Sequence, residues 1–148
     1  MASNKKPLAV HFLVASGVLL VALGILHLWV TSSLTGWIAR MVSVRARPLV
    51  MPPFVLNHIV VGILLIPVGV STACAALALP SGGRWARIIC LCSALSVFSL
   101  PIVLLRVMDL RQFAAPPFVT AIILLFLVAA LMLLATVMMW LRKPAQSA

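Results

Sequence analysis

Residues 51–80 read MPPFVLNHIVVGILLIPVGVSTACAALALP. From Phe54 to Leu79 no residue is charged. An α-helix rises about 1.5 Å per residue and the hydrocarbon core of a bilayer is about 30 Å thick, so roughly 20 apolar residues suffice to cross it. This run crosses with tilt to spare. It also carries an Asn-His pair just inside one end and a proline, Pro67, in its middle.

The rest of the chain has the same character. Of 148 residues, 65% are hydrophobic, with a mean hydropathy of +1.29. Soluble domains are nearer 45–50% apolar, and a chain this short could not hide such a surface from water. The bilayer must be the solvent. One acid, Asp109, stands against eleven Lys and Arg. In a soluble protein that balance would suggest nucleic acid. Here the cations sit at segment ends and in loops, at the level of lipid headgroups, and no nucleic-acid partner is expected.

Working outward, the pattern predicts an all-α integral-membrane four-helix bundle, one transmembrane domain over 1–148. Its spans fall at about 8–30, 54–79, 85–108 and 117–141. Span 1 is too long for the apolar core of a signal peptide and no small-residue cleavage site follows it, so it is expected to be retained. The longest connection, 31–50, contains LTGWIARMVSV. Leu34, Trp37, Ile38, Met41 and Val42 recur at i, i+3, i+4, i+7 and i+8, the stripe of an amphipathic helix. A short interfacial helix over about 34–44 is expected, stopped by Pro48, Pro52 and Pro53.

Packing signals lie in small residues. Gly17 and Gly24 share a face of span 1, and His58, Gly62, Gly69, Thr72, Ala73 and Ala76 fall near one face of span 2, as in helices that pack tightly in lipid. Pro67 and Pro101 predict kinks. Cys74, Cys90 and Cys92 form no C-x-x-C and read as small packing residues. Pro52-Pro53-Phe54-Val55 is echoed by Pro116-Pro117-Phe118-Val119, with Ile122 where the first copy has His58. The echo fits either two repeated hairpins or a shared way of opening a helix. The two membrane faces carry six and five basic residues (Lys5, Lys6, Arg84, Arg87, Arg142 and Lys143 against Arg40, Arg45, Arg47, Arg106 and Arg111). That small excess points to a multi-pass protein of the cell membrane with both termini in the cytoplasm.

Polar groups from several segments converge at one place. His27 ends span 1 and His58 begins span 2, and Thr31, Asn57, Arg106 and Asp109 belong to the same face. His11 lies at the opposite one. Asp109, flanked by Arg106 and Arg111, reads as a headgroup-level ion pair. Three uses of the histidines are open. They hydrogen-bond backbone and headgroups; or His27, His58, Asn57 and Arg106 line a quinone or lipid-headgroup pocket; or the two imidazoles ligate haem b. The sequence has no nucleophile–base set, phosphate loop or metal-ligand spacing, so no catalytic activity of its own is expected.

GILHLWVTSSLTGWIARM, the proline-bearing loop after it and VVGILLIPVGVSTACAAL, all within 24–79, resemble the DoxX-type family of small four-helix membrane proteins. That family has an acid near the start of its second helix, where this chain has Asn57-His58. The resemblance implies a membrane subunit associated with oxidoreductases that act on quinone. A large lipid-compatible surface, small-residue packing stripes and no complete active site make the expected function an accessory or anchoring subunit of a larger membrane assembly, redox in character, with the bilayer and either other membrane proteins or further copies of itself as partners. The alternative is a quinone- or haem-binding redox protein using His27 and His58. A third is a small-solute or lipid transporter hinged at Pro67 and Pro101, against which stands the lack of a midplane charge.

Overall fold

The computed structural model describes residues 7–81, 83–107 and 116–141. Their elements are α1 (Leu8–Met41), α2 (Arg47–Ala78) ending in a 3-10 turn (Leu79–Ser81), α3 (Arg84–Val107) and α4 (Pro116–Leu141). No strand occurs among the described residues. All four helices are long and apolar enough to cross a membrane. The fold is the all-α, integral-membrane four-helix bundle, and the chain is a multi-pass membrane protein.

Two compact units are distinguished within the chain, Gly17–Ser71 and Met1–Ser16 with Thr72–Ala148. The first is a hairpin of α1 and α2. Its core is a seam of glycines. A Cβ added at Gly69 would meet the Gly17 carbonyl oxygen at 2.5 Å, and one at Gly24 would meet the Gly62 carbonyl oxygen at 2.8 Å. Gly17 faces Gly69 while Gly24 faces Gly62, so the helices run antiparallel with a seven-residue step on each. Without Cβ atoms the two backbones come into direct contact, which maximises dispersion where lipid removes any hydrophobic drive for helix pairing.

In the second unit α3 packs on α4. Ala86, Cys90, Ser93, Ala94, Val97 and Pro101 are the buried face of α3, and Ala129, Met132, Ala135, Thr136 and Met139 that of α4. The steps of three and four residues repeat every seven, as in left-handed helix packing. Of the serines spaced by three, Ser93 alone is buried; Ser96 and Ser99 turn outward, and Ser99 donates to the Ser96 carbonyl (2.8 Å). All three cysteines are free, with Cys90 buried and Cys74 and Cys92 exposed.

The connection between spans 1 and 2 differs from expectation. Residues 34–41, expected in a separate helix, are the continuation of α1, which runs unbroken for 34 residues. Nothing after Val30 breaks a helix. The hydroxyls there bond back within it, Ser32 to the Trp29 carbonyl (2.9 Å) and Thr35 to the Ser32 carbonyl (3.0 Å). The turn is only 42–46, closed by Ala46 N–H to the Ser43 carbonyl (2.9 Å). Arg47 opens α2, and its side chain donates to the carbonyls of Ala39 and Val42 (3.2 Å to the latter), placing a cation on the negative end of α1. Pro48 sits in the first turn of α2, where an N–H would have no helical acceptor. Pro52 and Pro53 remove the helical donors to the carbonyls of Pro48 and Leu49, both exposed residues whose carbonyls can be solvated. Pro67 and Pro101 likewise lie inside unbroken helices. The second Pro-Pro-Phe-Val opens α4 at Pro116, whereas the first lies within α2.

Gly69→Ala is expected to destabilise the hairpin by about 1–3 kcal/mol, because its Cβ meets backbone rather than a side chain that can move. Gly36→Ala meets nothing within 4 Å and should stabilise it by up to about 1 kcal/mol. Reversible unfolding in mixed micelles checks both; equal effects at the two positions would refute the seam.

Candidate functional site

One turn beyond the Gly24–Gly62 contact, the seam continues into the two histidines. Their rings stack with centroids 4.4 Å apart and planes 22° apart. Phe54, one turn earlier on α2, extends the stack at 6.3 Å from His58. Both histidines are half-buried. Thr31, buried on α1, donates its hydroxyl to the His27 carbonyl (2.7 Å). His58 Nδ1 lies 3.4 Å from both Thr31 Oγ1 and the His27 carbonyl oxygen. A carbonyl only accepts, and the Thr31 proton is already given to it. With the ring proton on Nδ1, His58 can share it between the two oxygens, and Nε2 is then the acceptor.

This arrangement brings together His27, His58 and Thr31 of the expected cluster. Asn57 neighbours His58 in sequence but is exposed. Arg106 is exposed at the end of α3, in the other compact unit. Asp109 and Arg111, and with them the expected ion pair, lie outside the described residues, as do Lys5, Lys6, Arg142 and Lys143. What sequence reasoning missed is Phe54 as the third ring. The i, i+4 spacing of Phe54 and His58 was the available signal.

The geometry also tests the haem reading. Two axial imidazoles must each aim a nitrogen at one metal from opposite sides, at about 2 Å, which holds ring centroids about 6 Å apart with edges, not faces, toward each other. Rings stacked face to face at 4.4 Å leave no plane for a porphyrin, so this pair does not fit bis-histidine ligation. Among the described residues no group of three His, Cys, Asp or Glu side chains could hold a metal ion. Comparison with known protein families, characterised proteins and solved structures finds no match to this chain.

Thr31→Val removes the hydroxyl that braces both the helix turn and His58. We expect a loss of about 1 kcal/mol in hairpin stability and a changed tautomer signature for His58 in 15N side-chain NMR spectra. An unchanged His58 spectrum would show that Thr31 does not fix the ring.

Proposed function

We propose that the chain is an accessory subunit of a larger membrane assembly, and that the tip of the α1–α2 hairpin is where it docks. The length of that hairpin carries the reading. The 34 residues of α1 span about 51 Å, against about 30 Å of hydrocarbon. Even a tilt of about 40°, the top of the usual range, leaves roughly 39 Å along the membrane normal. The polar run that starts at Thr31 puts the excess at the tip. There Val44 and Leu49 are 73% and 79% exposed, and Trp37 and Met41 are exposed too. Large apolar side chains clustered beyond the hydrocarbon mark an interaction surface. Arg40 and Arg45 are exposed beside them, and the tip has no acid. Its complement is an apolar surface rimmed with carboxylates on another membrane protein. The resemblance of residues 24–79 to DoxX-type proteins is in keeping with a partner that is an oxidoreductase. A photo-crosslinker at Val44 or Leu49 should capture a second, different polypeptide in native membranes, and one at Ile123 should capture lipid. Arg40→Glu with Arg45→Glu should reduce the first adduct about tenfold. Adducts with lipid alone, or with another copy of this chain, would overturn the reading.

The two oxygens 3.4 Å from His58 Nδ1 favour a second reading, in which Nδ1 carries the ring proton and the histidine pair binds a hydroquinone. A bare Nε2 accepts a hydrogen bond, so it suits the hydroxyl of a quinol rather than the carbonyl of a quinone. Replacing His58 with Ala should weaken binding of a short-chain ubiquinol about tenfold, followed by quenching of tryptophan fluorescence. The same affinity in the variant would reject this site.

A further inference from the structure

We infer that the His27–His58 stack is a proton-operated latch. It holds α1 against α2 while at most one ring is charged, and it releases them between the glycine seam and the 42–46 turn when both are. Two imidazolium ions held 4.4 Å apart in a half-buried site repel one another strongly. A single imidazolium does not disturb the pair, because a cation rests favourably on the face of a neutral aromatic ring. The second proton is therefore the one that separates the rings. Nothing on the two helices offsets the repulsion. Neither α1 nor α2 contains Asp or Glu. The groups that face the rings are the Thr31 hydroxyl, the His27 carbonyl and Phe54, all uncharged. Arg40 and Arg47, toward the turn, are cations themselves and can only add to the repulsion. His11 and Cys74 lie about sixteen residues away along their helices, roughly 24 Å.

The hairpin is built to yield at this level. On one side of the pair Gly24 meets Gly62 backbone to backbone, and on the other Arg47 ties the turn to the carbonyls of Ala39 and Val42. Between the turn and the pair, α2 lacks the helical donors to Pro48 and Leu49, because Pro52 and Pro53 have no N–H. A helix bends where such bonds are missing. Bending there moves Leu49 and Val50 relative to Trp37 and Met41, all of them exposed apolar side chains of the tip. The opened pair binds two protons where the closed stack holds one. The opened form therefore gains population as pH falls through the ordinary imidazole range, near about pH 6.5, and loses it as pH rises. Acid on this face of the membrane thus reshapes the surface proposed above for docking, a consequence that rests on that reading.

The test is the distance between spin labels at Ser33→Cys and Leu56→Cys, exposed positions on the two helices beside the pair. The full chain is used, with its three native cysteines replaced by alanine, in phosphatidylcholine nanodiscs. Between about pH 8 and about pH 5 the ratio of the longer-distance to the shorter-distance population should rise about tenfold. His27→Phe keeps a stacking ring but cannot take the second charge, and it should abolish the rise. Labels at Val18→Cys and Val70→Cys, exposed positions on the two helices beside the glycine seam, should not respond. Equal populations at the two pH values, an undiminished rise in His27→Phe, or an equal change at the seam would overturn the latch. No partner is present in this measurement, so its failure is distinct from a failure of docking, which the crosslinks decide.

Discussion

The distance between α1 and α2 is set by two carbonyl oxygens, those of Gly17 and Gly62, each lying where the opposite helix lacks a Cβ. In water such a pair would be one contact among many, because expulsion of water from side chains would hold the helices together. In lipid that force is absent. What remains is close packing, which falls off steeply with distance, so the approach permitted by glycine governs the pair. The seven-residue step matters as much as the residue type. Two small residues seven apart return to nearly the same side of a helix, so both contacts are made along one line and the hairpin has one register.

That register determines the rest of the hairpin. With Gly24 against Gly62, the next turn of α1 presents His27 and the preceding turn of α2 presents His58, and the rings meet face to face. One turn further, Thr31 reaches the same oxygen that His58 approaches. The helices then continue together past the end of the apolar run until Arg47 closes the turn by bonding to the last carbonyls of α1. A slip of one residue would rotate each side chain by about 100° and put glycine against a branched side chain. Neither the histidine stack nor the arginine cap would survive it.

Some of this was legible in the sequence and some was not, for physical reasons. Four long apolar runs fix four helices because lipid allows few other ways to satisfy a backbone. The positions of Gly17, Gly24, Gly62 and Gly69 pointed to a close interface, and the structure pairs them. The faces of α3 and α4 were harder to read. A helix in lipid is apolar outside as well as inside, so hydrophobic periodicity is nearly flat. Size marks the buried face of α4 only in part: Ala129, Ala135 and Thr136 are inside and Leu127 and Leu134 outside, yet Met132 and Met139 are inside and Ala130 is outside. The continuation of α1 through 31–41 was also hidden. Its amphipathic stripe is the same whether the segment starts a new helix or prolongs an old one. Only the lack of a breaker between Val30 and Thr31 separates the two cases. The prolines of α2 misled in the opposite direction, since their cost depends on whether the freed carbonyls can be solvated, and a sequence does not say so.

The histidine stack shows why convergence of polar residues does not by itself make a binding site. A polar ring within a span must find partners in the protein, and the nearest acceptors are backbone carbonyls. His58 Nδ1 approaches one across the helix pair, at 3.4 Å. Thr31 takes the same one from within its own helix, so each polar group is used to brace another. A ring face is used as well, against His27, with the Phe54 ring centred 6.3 Å from that of His58. A metal-centred cofactor would need these rings turned edge-on and moved apart, at the expense of the glycine register that places them. With the ring proton on Nδ1, a ligand that only donates a hydrogen bond to the lone pair on His58 Nε2 requires no such movement. The chemistry open to this site is thus narrowed less by which residues are present than by how many of their bonds the fold has already used.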